Sequence, residues 1–110
     1  MYASVRRYTA APGSIQRFSP RVENEFVPLL RAVPGFVSFT VMEGGSENGR
    51  DVILTVSIFQ SREGADESAR EAAQWIRRNL GEFEPSLPQI TTGNVLLTST
   101  SQFVAASYTR

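Results

Sequence analysis

The sequence predicts an α+β domain in the element order β-α-β-β-α-β. Three observations carry that prediction: an alternating first segment, two strand-like runs joined by a glycine-rich turn, and a strand that enters an amphipathic helix with almost no loop. The third, Asp51 to Gly81, organises the rest. Its strand half is rich in β-branched residues and alternates, with Val52, Leu54, Val56 and Ile58 on one side and Ile53, Thr55, Ser57 and Phe59 on the other. Ser61 stands where an N-cap is needed, Glu63 and Asp66 lie near the positive helix end, and Gly81 is the stop. Ala65, Ala69, Ala72, Ala73, Ile76 and Leu80 fall on one helical face, and the alanines imply a helix lying close to its sheet.

The other elements follow in chain order. Residues 2–8, YASVRRY, alternate as a strand, with Tyr2, Ser4, Arg6 and Tyr8 opposite Ala3, Val5 and Arg7. After a turn at Ala11-Pro12-Gly13, Ser14 can cap a helix with apolar positions Ile15, Phe18, Val22, Phe26, Leu29, Leu30 and Val33. Pro20 and Pro28 interrupt it: Ser19-Pro20 can start a fresh helix, and Pro28 should bend the chain by removing a backbone donor. Pro34-Gly35 ends the element. Residues 35–43 form the second strand, and the turn 44–50 has Asn48-Gly49 as its tight point. Beyond the organising unit, a polar connector over 82–89 leads to a fourth strand over 90–98. The expected division is a domain over residues 1–98 and a polar C-terminal tail over 99–110, whose Phe103, Val104 and Tyr108 can dock on a neighbour. The order is that of the ferredoxin-like split βαβ fold, with a four-stranded antiparallel sheet.

Composition removes whole classes of chemistry. The 110 residues suit one core, and with no Cys and no His there is no thiolate, no imidazole base and no His–metal site, so no metal and no cofactor are expected. All 11 basic residues are Arg, net charge is zero, and no basic stripe is visible, so neither nucleic acid nor a Schiff base is expected. No run is long enough to span a bilayer and no signal peptide is evident, which makes a cytoplasmic location the expectation.

Two helices cover one face of a four-stranded sheet. The other face, assigned to Ile53, Thr55, Ser57 and Phe59, leaves a patch larger than monomers usually expose, and a second copy covering it sheet to sheet is the expected answer.

With these elements in place, the chain resembles the antibiotic biosynthesis monooxygenase family of the dimeric α/β-barrel superfamily. The likeness spans roughly residues 2–98 and rests on YASVRRY at 2–8, FVPLLRAVPGF at 26–36, VSIFQSREGADES at 56–68 and AAQWI at 72–76. The resemblance implies a homodimer whose sheets form a barrel, with a cleft between sheet and helices in each subunit. It also implies, for some members, oxidation of phenolic compounds by O₂ without metal or flavin, and for others haem degradation. Trp75 matches the helical Trp that lines the cleft in oxygenase members. One turn earlier, where those members carry an Asn, this chain has Glu71, and the His used by the haem-degrading branch is missing.

The candidate site residues are Trp75, Asn79 and Arg6 for catalysis, and Tyr8, Ser68 and Glu71 for substrate binding. Trp75 is placed off the alanine stripe, beside Ser68, Glu71 and Asn79, and is either a boundary residue of the core or the wall of a cleft. Arg6 and Tyr8 lie either in a dimer interior, where Arg6 needs a carboxylate or carbonyl, or in the cleft, where Arg6 can steady a phenolate and Tyr8 exchange a proton. Asn79 is read as orienting substrate or as a plain helix-end polar residue, and Glu71 as a base only if burial raises its pKa. Two functions result: a cofactor-independent monooxygenase acting on a small phenol- or quinol-type aromatic, or a non-catalytic small-molecule-binding or stress-response module on the same scaffold. A closed, solvent-free interior would favour the second.

Overall fold

The computed structural model describes residues 1–101. In order they form β1 (Tyr2–Ala10), α1 (Ser14–Arg21), a π-helical turn (Val22–Phe26), α2 (Val27–Arg31), β2 (Phe36–Glu47), β3 (Arg50–Phe59), α3 (Arg62–Asn79), a 3-10 turn (Gly81–Phe83) and β4 (Gln89–Asn94). The strands make one antiparallel sheet in the order β2-β3-β1-β4, the ferredoxin-like arrangement. The helical layers lie on one side of it.

The two prolines do not break the first helical arm at Ser19-Pro20. Helix α1 runs through Pro20, and the Ser19 hydroxyl donates to the Ile15 carbonyl. The irregularity falls later, in the wide π turn just ahead of Pro28, where a loosened ladder gives the proline ring room against the preceding turn. That turn buries Phe26, and Leu30 is buried one turn further on. The N-cap of α1 is Gly13 at φ 80° rather than Ser14, and the Asp51 carboxylate on β3 accepts from the Ile15 N–H at 3.4 Å. For α3 the expected cap is present: Ser61 Oγ accepts from the Gly64 N–H at 3.2 Å. At Gly64 the α3 backbone packs tightly against its surroundings: a Cβ there would stand 2.8 Å from the Pro34 carbonyl oxygen.

Strand β2 outruns the expected 35–43, reaching Glu47 through a bulge between Glu43 and Ser46. Asn48 and Gly49, at φ 52° and 75°, then make the tight turn into β3. Strand β4 ends at Asn94, short of the expected 98. Residues 102–110 of the expected tail, with Phe103, Val104 and Tyr108, lie outside the described residues.

The assignment of sheet faces is corrected. Register pairs Arg6 with Thr55, Tyr8 with Ile53, Ser4 with Ser57 and Tyr2 with Phe59. Phe59 is fully buried, and Ile53, Ser57, Ser4, Arg6 and Tyr8 are buried with it beneath the helices. The bare face carries the opposite parity: Val5 pairs with Val56, Ala3 with Ile58, and Met42 with Leu54. Both parities of β3 are apolar enough to face a core. Thr55 and Ser57 face inward, where they line a cavity.

Candidate functional site

Between the sheet and the helices is a cavity of about 80 Å³. Its sheet wall includes Arg6 and Tyr8 on β1 and Ile53, Thr55 and Ser57 on β3. Across from them stand Phe26 of the π turn and Ser68, Ala72 and Trp75 of α3, while Phe18 and Phe83 close one end. Alternation along β1 puts Arg6 and Tyr8 on the same side, and helical spacing lines up Ser68, Ala72 and Trp75.

Trp75 is only 7% exposed, so it does not stand off the buried face as expected. The buried side of α3 runs through Ala65, Ser68, Ala72 and Trp75, whereas Ala73 points to solvent. The indole ring lies 5.3 Å from the Phe26 ring at 34°, and Phe26 meets Phe39 edge-on at 5.8 Å. These contacts make Trp75 part of the core and of the cavity wall at once. Its two readings are not exclusive.

Arg6 is the unusual residue. It is 7% exposed, its Nε has no hydrogen-bond partner, and no ion pair among the described residues includes it. Desolvating an unpaired charge costs several kcal/mol even after relaxation, at about the scale of a small domain's whole stability. The neighbouring Ser4 Oγ is likewise buried without a partner. Among the described residues the cavity wall contains no carboxylate. A positive charge in such low-dielectric surroundings favours an anion far more strongly than the same charge in water. The Ser68 hydroxyl donates to the Ala65 carbonyl at 2.7 Å, which leaves it an acceptor role towards the cavity.

Of the expected site residues, the structure brings Arg6, Tyr8, Ser68 and Trp75 to the cavity, and leaves Glu71 and Asn79 outside its wall. Glu71 is half-buried on α3. Asn79 is a helix-end residue: its Nδ2 donates to the Trp75 carbonyl at 3.0 Å and its Oδ1 accepts from Arg21 at 3.4 Å. Arg21 also pairs with Glu25 and Glu82, tying α1 to the end of α3. Among the described residues no cluster of His, Cys, Asp or Glu could hold a metal ion, and no helix is long and apolar enough to cross a membrane. Sequence reasoning missed Phe26, Phe39 and Phe83 as wall residues. Phe83 had a signal: it is the one aromatic in an otherwise polar connector, and it packs edge-on against Phe18 at 5.7 Å.

Solved structures share this fold at low identity. HapK from Hahella chejuensis is 14% identical, with a TM-score of 0.70 over 92% of this chain and 98% of that one. The monooxygenase ActVA-Orf6 of Streptomyces coelicolor, solved in complex with nanaomycin D, is 15% identical with a TM-score of 0.63 over 89% of this chain and 92% of that one. SnoaB, a cofactor-independent oxygenase from Streptomyces nogalater, is 13% identical with a TM-score of 0.59 over 88% and 94%. No curated protein matches the chain in sequence. The sequence profile of the family described as antibiotic biosynthesis monooxygenase matches residues 1–74, from β1 through most of α3 and up to the residue before Trp75. The chain belongs to the antibiotic biosynthesis monooxygenase family.

Proposed function

We propose that the protein is a cofactor-independent monooxygenase acting with O₂ on a small phenol- or quinol-type aromatic held in the cavity. One observation carries this reading: Arg6, a buried guanidinium with no carboxylate partner among the described residues, stands in a wall built mostly from Trp75, Phe26, Phe39 and other apolar groups. The aromatic wall offers the ring a desolvated seat, and Arg6 stabilises the negative charge that forms when substrate loses its proton. Tyr8 is buried on the same face and lines the cavity, and in this reading it exchanges that proton. The carbanion form of the substrate then gives one electron to O₂. Recombination of the resulting radical with superoxide forms a C–O bond, and the peroxide loses water to leave a carbonyl. The substrate is oxidised, one oxygen atom is retained and the other leaves as water. Orientation and charge stabilisation are the protein's share. Relatives of known structure that are oxygenases support the reading.

The working unit in this proposal is a homodimer formed through the bare sheet face. Val5 and Met42 are 40% and 44% exposed there, beside half-buried Leu54, Val56 and Ile58. Structural neighbours include a dimeric ferredoxin-like protein. A two-fold contact buries such a patch with a copy of itself.

A second reading, a non-catalytic small-molecule-binding module, draws on one specific observation. The sequence has no imidazole, and among the described residues the cavity wall has no carboxylate, so none of them offers the ligand a strong general base. Oxygen consumption with a phenol or hydroquinone separates the two. The monooxygenase reading predicts turnover by the wild type that falls at least ~100-fold, about 2.7 kcal/mol, in Arg6→Gln. Tight binding without oxygen uptake would establish the binding module instead.

A further inference from the structure

A second hollow lies beside the first. This groove, of about 380 Å³, runs along the outside of the π turn and the bulged end of β2 and is lined by residues including Ile15, Glu23, Val27 and Met42. Val22, Phe39 and Val41 belong to the walls of both hollows. These three side chains therefore stand between a narrower inner hollow and a wider outer one. The partition is braced from within, because Phe39 packs edge-on against Phe26, which in turn packs against Trp75.

The inner chamber is small. Its roughly 80 Å³ is about half the ~150 Å³ of an engineered apolar cavity that takes benzene. One ring is the most it accommodates with modest movement of its wall, and fused rings would have to displace the partition. The chamber also holds the Arg6 charge, so the ring that reaches it is the ring that ionises. The groove carries no such charge among its lining residues: its ionisable groups are Glu23 and Glu43.

We propose that this protein selects one-ring phenols and hydroquinones over fused-ring ones, and that Phe39 and Val41, standing between the chamber and the groove, set that limit. The inference rests on the reading of the chamber as the ligand site. The groove is then the access side, and removing the partition would merge the two hollows into a site large enough for fused rings.

Binding decides this without relying on catalysis. Binding of 4-nitrophenol, whose colour reports its ionisation, is titrated against that of a three-ring phenol, 1-hydroxyanthracene, using wild type, Phe39→Ala and Val41→Ala. The expected result is a wild-type preference for the one-ring probe of at least ~10-fold, with the probe bound as the phenolate. Phe39→Ala should then shift the ratio towards the three-ring probe by ~10-fold or more, and Val41→Ala, which removes less of the partition, by a smaller factor. Val41→Ala carries the test if Phe39→Ala does not fold. Equal or tighter binding of the three-ring phenol by the wild type would overturn the size limit and leave the proposed function standing. Binding of neither probe would overturn it as well. A ratio unmoved by both variants would remove Phe39 and Val41 from the role. Size selection with no oxygen uptake from one-ring hydroquinones would uphold this inference while refuting the monooxygenase reading.

Discussion

The two faces of the sheet are built on opposite principles. The face beneath the helices carries Ser4, Arg6, Tyr8, Thr55 and Ser57, while the face without helices carries Val5, Leu54, Val56 and Ile58. In an ordinary two-layer domain the aliphatic set would be buried and the hydroxyls would face water. The inversion follows from what each face borders. The helix side lines a cavity whose polar groups await a ligand, and Phe59, Ile53 and the ring cluster seal its margins. The bare side has an aliphatic centre, Val5, Leu54, Val56 and Ile58, flanked by Arg7, Thr40 and Thr91, and a two-fold contact between copies would bury that centre. A charge should therefore be ruinous on one face and merely dissociating on the other.

The largest effect is expected at Phe59, which has no exposed surface and packs on Phe36 at 5.7 Å. Phe59→Glu combines loss of a core aromatic with a buried unpaired carboxylate and should remove about 5 kcal/mol or more, enough to prevent folding. Absence of a cooperative unfolding transition in circular dichroism is the expected outcome. Next comes Trp75→Ala. The side chain is buried and meets Phe26, but a hollow already lies on one side of it, so the cost should sit near the lower end of the range for such truncations, about 3 kcal/mol in urea at unchanged m-value. A loss below about 1 kcal/mol would mean the ring contributes little to the core.

On the bare face, Val56→Glu should leave the subunit folded and cut self-association ~100-fold, about 2.7 kcal/mol, since like charges meet across the two-fold axis. Sedimentation should show a monomer with native circular dichroism. A dimer unaffected by this change would place the interface elsewhere. The smallest effect is expected at Asn79, whose side chain bridges the Trp75 carbonyl and Arg21 at the surface. Asn79→Ala should cost about 1 kcal/mol in thermal or urea unfolding and leave phenol binding as it is, because Asn79 is outside the cavity wall.

Most of the fold was legible because its signals are local. The Asn48-Gly49 turn, the Ser61 cap and the alternation of β1 each act within a few residues, and each has a direct backbone cause. What was not legible depended on distant partners. The parity of β3 is ambiguous by itself, and only pairing with Arg6 and Tyr8 under the helices resolves it. The α3 stripe was misplaced for a related reason: alanines at 69 and 73 match helical spacing as well as Ser68 and Trp75 do, and the contact with Phe26 of the π turn selects between them. Of the candidate site, Trp75 was singled out by the family resemblance, Arg6 and Tyr8 by alternation along β1 and Ser68 by helical spacing from Trp75, but the same spacing also drew in Glu71 and Asn79, which the cavity leaves out. Phe26 and Phe39 come together only through the π turn and the long β2, which no short-range pattern announces.

The central claim is that Arg6 is kept buried and unpaired for a ligand, at a cost to the fold. Urea denaturation of Arg6→Met tests it most directly, because Met retains much of the aliphatic stem and removes the charge. Relief of desolvation should leave the variant at least as stable as the wild type, by about 1 kcal/mol or more, at unchanged m-value. A loss of about 2 kcal/mol or more would contradict the account, since it would show that the guanidinium is a structural strut and not a charge held ready for a ligand.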